Sequence, residues 1–102
     1  MDRMAMQLLD VDPRTLHVRP SRLTGADPFK LHRQIALFGS STAGMRAPWV
    51  YRGSDGKLQL YNGVTRATRI AMLAPGKLIR IEVIGTWRRP VAQLPRIGDL
   101  IP

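Results

Sequence analysis

The chain has 102 residues, of which 16 are lysine or arginine and 7 are aspartate or glutamate, so its formal net charge is +9 at pH 7. It has no cysteine, which excludes disulfides, thiol chemistry and cysteine-ligated zinc, and its two histidines, His17 and His32, lie too far apart to indicate a metal cluster. The length predicts one domain over residues 1–102, and no apolar run approaches the roughly 20 residues of a membrane span, so we expect a cytoplasmic protein without a membrane partner.

The N-terminal third is predicted to hold one short strand and one helix. Residues 1–12 form a peripheral lead-in, helical or extended, whereas residues 15–20 alternate apolar and polar side chains as a strand does. Asp27 followed by Pro28 is typical of a helix start. Inward positions then recur at intervals of three and four, which predicts an amphipathic helix that stops at Gly39: Phe29, Leu31, His32, Ile35 and Ala36.

A polar loop and a hairpin follow this helix. Residues 39–46 are small and polar, but they lack the lysine and the hydroxyl residue that end a nucleotide-binding P-loop. Residues 48–52 and 57–61 are rich in β-forming side chains and flank an Asp-Gly turn at Asp55. This arrangement predicts a β-hairpin.

The second half is predicted to contain a helix, a strand and an irregular tail. Residues 64–73 carry helical periodicity, with an expected buried face of Val64, Ala67, Ile70, Ala71 and Leu73. Residues 78–84 alternate as a strand with Ile79, Ile81 and Val83 inward. Residues 86–102 should run along the surface, pinned by Trp87, Leu94 and Ile97. The element order predicts an α+β domain in which two helices cover a small mixed β-sheet, with its core within residues 15–85.

The junction between the hairpin and the second helix carries the candidate site. Residues 61–69 place a glycine turn before a helix whose first two turns hold two hydroxyls and two guanidinium groups. A helix N-terminus attracts anions through its free N–H groups and its dipole, and no acid lies within residues 57–81 to pair the arginines. Tyr61, just upstream, either stacks on a base or packs in the core. The predicted phosphate ligands are Asn62, Gly63, Thr65, Arg66 and Arg69.

The charge pattern also indicates an anionic partner. Thirteen of the 16 basic residues are arginine, whose planar fork binds two phosphate oxygens, and Glu82 is the one acid between Lys57 and Arg96. The expected partner is a nucleotide or nucleic acid, with an acidic protein as the alternative. The acids and histidines are scattered, so no catalytic or metal-binding residue is predicted. The cofactor considered is a nucleotide with Mg²⁺.

The same element order resembles the ParB/sulfiredoxin-like family. A proline-containing early strand at residues 17–23, the hairpin at 48–61 and a glycine opening an arginine-containing helix at 63–71 match its pattern, and residues 79–83 resemble its closing strand. The resemblance covers about residues 15–85. It implies a ParB-like fold with a phosphate-binding turn formed by Gly63, Thr65 and Arg66.

Val64 departs from the family pattern. It stands where ParB proteins have a glutamate and sulfiredoxins a reactive cysteine, and a valine can be neither ligand nor nucleophile. The resemblance therefore implies binding without catalysis. Two alternatives stay open: a nuclease or nucleotide hydrolase of the same fold, of the toxin type, with His17 or His32 as base, and a protein-interaction domain for an acidic partner.

Overall fold

Four strands form one mixed sheet in the computed structural model, which describes residues 7–102. They are β1 (Gln7–Val11), β2 (Trp49–Arg52), β3 (Leu58–Asn62) and β4 (Ile79–Thr86), in the order β1-β4-β2-β3. β4 is antiparallel to β1 and parallel to β2, and β2 is antiparallel to β3. The three helices are α1 (Pro28–Phe38), α2 (Val64–Leu73) and α3 (Ile97–Leu100). The predicted α+β class with a mixed sheet is confirmed, but the described residues form three helices instead of two.

The N-terminal strand lies earlier than predicted. β1 falls in the segment 1–12 that was expected to be peripheral, of which residues 1–6 lie outside the described part. In the predicted strand 15–20, only His17 forms bridges, one to Gln59 and one to Arg96. Short 3₁₀ turns that begin with proline, at Pro13–Thr15 and Pro20–Arg22, bracket this segment. Proline fixes φ and lacks an N–H donor, so each turn interrupts the extended chain. The segment left between the two turns is too short to form a ladder.

α1 begins where predicted but is only lightly packed. The Asp27 carboxylate accepts a hydrogen bond of 2.9 Å from the Phe29 N–H, as an N-cap does. No residue of α1 is fully buried, and Phe29, which was predicted to face inward, is 86% exposed. α1 packs mainly on α2, so only the stripe around Leu31 and Ile35 is covered.

α2 and β4 form most of the core, close to the prediction. Ala67, Ile70 and Ala71 of α2 are buried, whereas Leu73, also predicted inward, is 41% exposed. β4 alternates as expected, and its inward residues join α2 and the hairpin in one cluster: Val50, Leu60, Ile79, Ile81 and Val83. The buried face of the sheet is therefore covered by α2.

The chain after β4 contributes to the core instead of only following the surface. Val91 and Ile97 are buried, and Ile97 belongs to the main apolar cluster. Asp55 in the hairpin turn holds this segment in place. Its Oδ2 accepts hydrogen bonds from the N–H groups of Val91 (3.1 Å) and Ala92 (3.0 Å), and its Oδ1 accepts one from Lys57 (3.2 Å).

We expect the Asp55→Asn variant to weaken this attachment and to flatten the acid side of the stability curve. Burial raises the pKa of Asp55, but hydrogen bonds from the N–H groups of Ala92, Lys57 and Val91 hold it below its ordinary value. A carboxyl with a depressed pKa stabilises the fold above its unfolded pKa, and this contribution is lost as the pH falls through the folded pKa. The asparagine oxygen can replace only one of the two carboxylate oxygens, so its NH₂ group faces at least one of the three N–H donors, and the variant should unfold more easily at neutral pH.

Denaturant melts across the acid range would measure this effect. The charge-matched control is Glu82→Gln, whose side chain lies on β4 away from the hairpin turn. A wild-type pH profile for Asp55→Asn would contradict the role assigned to this carboxylate.

Candidate phosphate-binding cleft

A cleft opens above the turn between β3 and α2. Its volume is about 380 Å³. One wall consists of the end of β3 and the first turn of α2, and includes Tyr61, Asn62 and Gly63. The other consists of Val18, the residues that follow it and the near side of α1. The structure therefore has a cleft at the turn where the sequence predicted a phosphate-binding site.

Four cationic side chains and no carboxylate line this cleft: Arg19, Arg22, Lys30 and Arg66. Five of the six acids of the described part are paired or hydrogen-bonded elsewhere, and the sixth, Glu82, lies on β4. Asp10 pairs with Arg80, and Asp99 pairs with Arg96. Others accept hydrogen bonds from backbone N–H groups: Asp12, Asp27 and Asp55. Neither salt bridge of the described part involves a cation of the cleft, so the positive charge there favours an anion.

Gly63 makes the turn into α2 with φ +99°, in the left-handed region that favours glycine. A Cβ at this position would lie 2.8 Å from Cβ of Pro48 and 2.9 Å from Nη2 of Arg66. Glycine is therefore needed both for the backbone angle and for the close approach of the Arg66 guanidinium. The first N–H groups of α2 follow directly, where a helix offers free donors.

Arg66 keeps donors free for a ligand. Its Nε donates a hydrogen bond of 3.1 Å to the carbonyl of Arg46, and within residues 7–102 its two terminal nitrogens have no hydrogen-bond partner. Burial and the adjacent charge of Arg46 lower the pKa of Arg66, although an arginine still carries its proton at neutral pH. A bound anion would offset both the burial of this charge and the repulsion from Arg46.

The two threonines of this region have different roles. Thr65 lines the cleft beside Asn62, within the first turn of α2. The Thr68 hydroxyl instead donates a hydrogen bond of 2.7 Å to the carbonyl of Val64. Only one of the two hydroxyls near the helix start is therefore placed to meet a ligand.

Arg69 lies outside the cleft and is used within the fold. It is only 2% exposed, and its Nη1 donates to the carbonyls of Gly39 (2.6 Å) and Ser41 (2.8 Å). The guanidinium also contacts the sulfur of Met45 and lies 5.4 Å from the ring centre of Phe38. Arg69 therefore holds the loop 39–46 in place and does not line the cleft.

The catalytic candidates stay apart in the structure. His17 is buried with its Nδ1 2.7 Å from the carbonyl of Leu94, and His32 is exposed on α1. Within residues 7–102, no group of three or more histidines and carboxylates is arranged to hold a metal ion. In the same range no helix combines the length and the apolar character that crossing a membrane requires.

Sequence reasoning missed the second wall of the cleft. Arg19, Arg22 and Lys30 are more than thirty positions before Arg66, and no spacing rule connects them. The available signal was the excess of arginine, which carries no information about position.

Comparisons with protein-family models, with curated proteins and with solved structures found no match to this chain.

Proposed function

We propose that the chain is a small basic binding module that holds a phosphate group of a nucleotide or nucleic acid in the cleft at Gly63. The observation that carries the proposal is the convergence of four cationic side chains on one cleft that contains no carboxylate. The start of α2 opens into the same cleft, and helix N-termini bind phosphate through their free N–H groups.

In this proposal the residues of the cleft contact the phosphate in different ways. The N–H groups at the start of α2, the Thr65 hydroxyl and the Asn62 amide donate hydrogen bonds to phosphate oxygens. Arg66 offers its terminal nitrogens as a fork, the geometry that suits two phosphate oxygens. Arg22 and Lys30 neutralise charge from the opposite wall.

We also propose that the domain has the ParB/sulfiredoxin-like fold. The order of helix, hairpin, helix and closing strand, with Gly63 before α2, supports this assignment. Val64 lines the cleft and packs against the hydrophobic core, and its side chain brings no reactive group to the position of the family's glutamate or cysteine. This supports binding without catalysis.

Nucleotides and short nucleic acids are expected to raise the melting temperature of the protein. The Arg22→Ala/Lys30→Ala double variant should lose most of that rise, because both side chains line the cleft and both are exposed. The matched control, Arg33→Ala/Lys77→Ala, removes the same charge from two exposed positions outside the cleft. Added salt should weaken the effect in the wild type, as for any phosphate contact.

Equal losses in the two double variants would show that only net charge matters and would contradict a specific cleft. The same samples with Mg²⁺ test the enzymatic alternative. Release of phosphate or cleavage of the nucleic acid would establish a hydrolase in place of a binding module.

A further inference from the structure

A row of aromatic rings and guanidinium groups crosses one face of the sheet. We call it the aromatic strip, and its members in order are Arg19, Tyr61, Tyr51, Trp87 and Arg89. Cζ of Arg19 lies 4.8 Å from the ring centre of Tyr61, and Tyr61 meets Tyr51 edge to face at 5.6 Å. The ring centres of Tyr51 and Trp87 are 4.5 Å apart, and Cζ of Arg89 lies 4.9 Å from the Trp87 ring. The strip is a continuous line of groups in contact, with a cation at each end.

The strip lies on the face of the sheet opposite the core. Tyr51 and Tyr61 alternate along their strands with the buried Val50 and Leu60, so they point away from α2. Tyr61 is 42% exposed. Tyr51 and Trp87 are also partly exposed, so parts of the three rings are accessible to a ligand.

Two contacts hold the strip in position. Nε1 of Trp87 donates a hydrogen bond of 2.6 Å to Oε1 of Gln59, which fixes the indole over the sheet. Gly85 on β4 leaves space for the neighbouring ring, because a Cβ there would lie 2.8 Å from Cε1 of Tyr51. The rings are therefore preorganised, which lowers the entropic cost of stacking a ligand on them.

The strip is continuous with the cleft because Arg19 and Tyr61 belong to both. A ligand with one phosphate near Arg66 can therefore extend along the rings towards Arg89. The carboxylates on this face lie on β1 and β4, whereas Tyr51 and Tyr61 lie on β2 and β3. Asp10 on β1 is paired with Arg80 at 2.6 Å, and Glu82 lies on β4, in register with Leu8 and Trp49.

We infer that the cleft and the strip together bind single-stranded nucleic acid. Unpaired bases stack on the rings and guanidinium planes, and the arginines at both ends meet the phosphates. Every base has a face that can stack on an aromatic ring, whereas a duplex hides these faces between its base pairs. An acidic peptide would match the charges but not the rings. The inference rests on the proposed function only for the phosphate placed in the cleft.

Fluorescence anisotropy with labelled oligothymidylate and oligouridylate of about twelve nucleotides, a length within reach of small single-strand-binding sites, tests the inference. Wild-type protein should bind both single strands roughly tenfold or more tightly than a duplex of the same length, since a lost stacking contact has about that effect. Tyr61→Leu should weaken single-strand binding roughly tenfold by removing one stacking ring. The matched control is Phe29→Leu, an exposed aromatic residue of α1 outside the strip, which should bind as the wild type does.

Equal affinity for single strand and duplex would overturn the inference, and so would wild-type affinity of a folded Tyr61→Leu protein. If circular dichroism shows that Tyr61→Leu does not fold, the comparison of strand with duplex decides alone. The Arg22→Ala/Lys30→Ala variant separates this inference from the proposed function. Single-strand binding that depends on Tyr61 but not on Arg22 or Lys30 would contradict the proposed phosphate site and would confine the single-strand site to the strip.

Discussion

The Gly63→Ala variant is expected to lose about 3 kcal/mol of unfolding free energy and to lose ligand binding with it, since left-handed backbone strain costs about 1–2 kcal/mol and overpacking about 1–3 kcal/mol. The added methyl would meet Pro48 at 2.8 Å and the Arg66 guanidinium at 2.9 Å. Either the turn opens or Arg66 moves, and both changes disturb the cleft. Chemical denaturation measures the first effect, and the ligand-induced rise in melting temperature measures the second.

Gly56→Ala is the matched control for this prediction. Gly56 also has a positive φ, +81°, but nothing lies within 4 Å of the place that an added methyl would take. Its replacement should cost about 1 kcal/mol from backbone strain alone and leave ligand binding intact. The difference between the two variants measures the close approach at Gly63, so equal losses would show that no such contact constrains the turn.

The Arg69→Ala variant is expected to lose about 2–4 kcal/mol of stability, the range for deleting a large buried side chain together with its hydrogen bonds. The change leaves the carbonyls of Gly39 and Ser41 without their donor and opens a hole beneath the loop 39–46. The loop should then become sensitive to trypsin at Arg46. Denaturant melts and limited proteolysis would show both effects.

Arg69→Met separates the two causes. Methionine fills much of the volume but donates no hydrogen bond, so its stability should fall between those of wild type and Arg69→Ala. Arg33→Ala, on the exposed side of α1, is the control for the loss of one positive charge. This variant should change stability little. An Arg69→Met protein as stable as the wild type, with an intact loop, would show that the carbonyl contacts contribute nothing.

Local chemistry made several parts of the fold predictable. The Asp-Gly turn at Asp55 marked the hairpin, and the 3.6-residue and two-residue periods located α2 and the inward face of β4. These signals depend on residues a few positions apart, so no tertiary information was needed. The prediction of Phe29 and Leu73 as inward residues was wrong because a periodic pattern shows that a helix has two faces, not how much of either the neighbours will cover.

The candidate site could be predicted only in part. A glycine before a helix with a hydroxyl and an arginine in its first turn marked Gly63, Thr65 and Arg66, and the structure opens a cleft there. Arg69 was grouped with them because no acid lies nearby in sequence. Its partners are backbone carbonyls of a loop about thirty residues earlier, acceptors that a count of charged residues does not include.

The sequence by itself determined the basic charge, the hairpin, the second helix and the turn that opens it, because each is set by composition or by neighbours along the chain. Only the tertiary structure decided which cations face the cleft, where Arg69 is used, and that Tyr61, Tyr51 and Trp87 form one strip. Those contacts join segments far apart in the chain, and the order and register of the strands, rather than any residue spacing, bring them together.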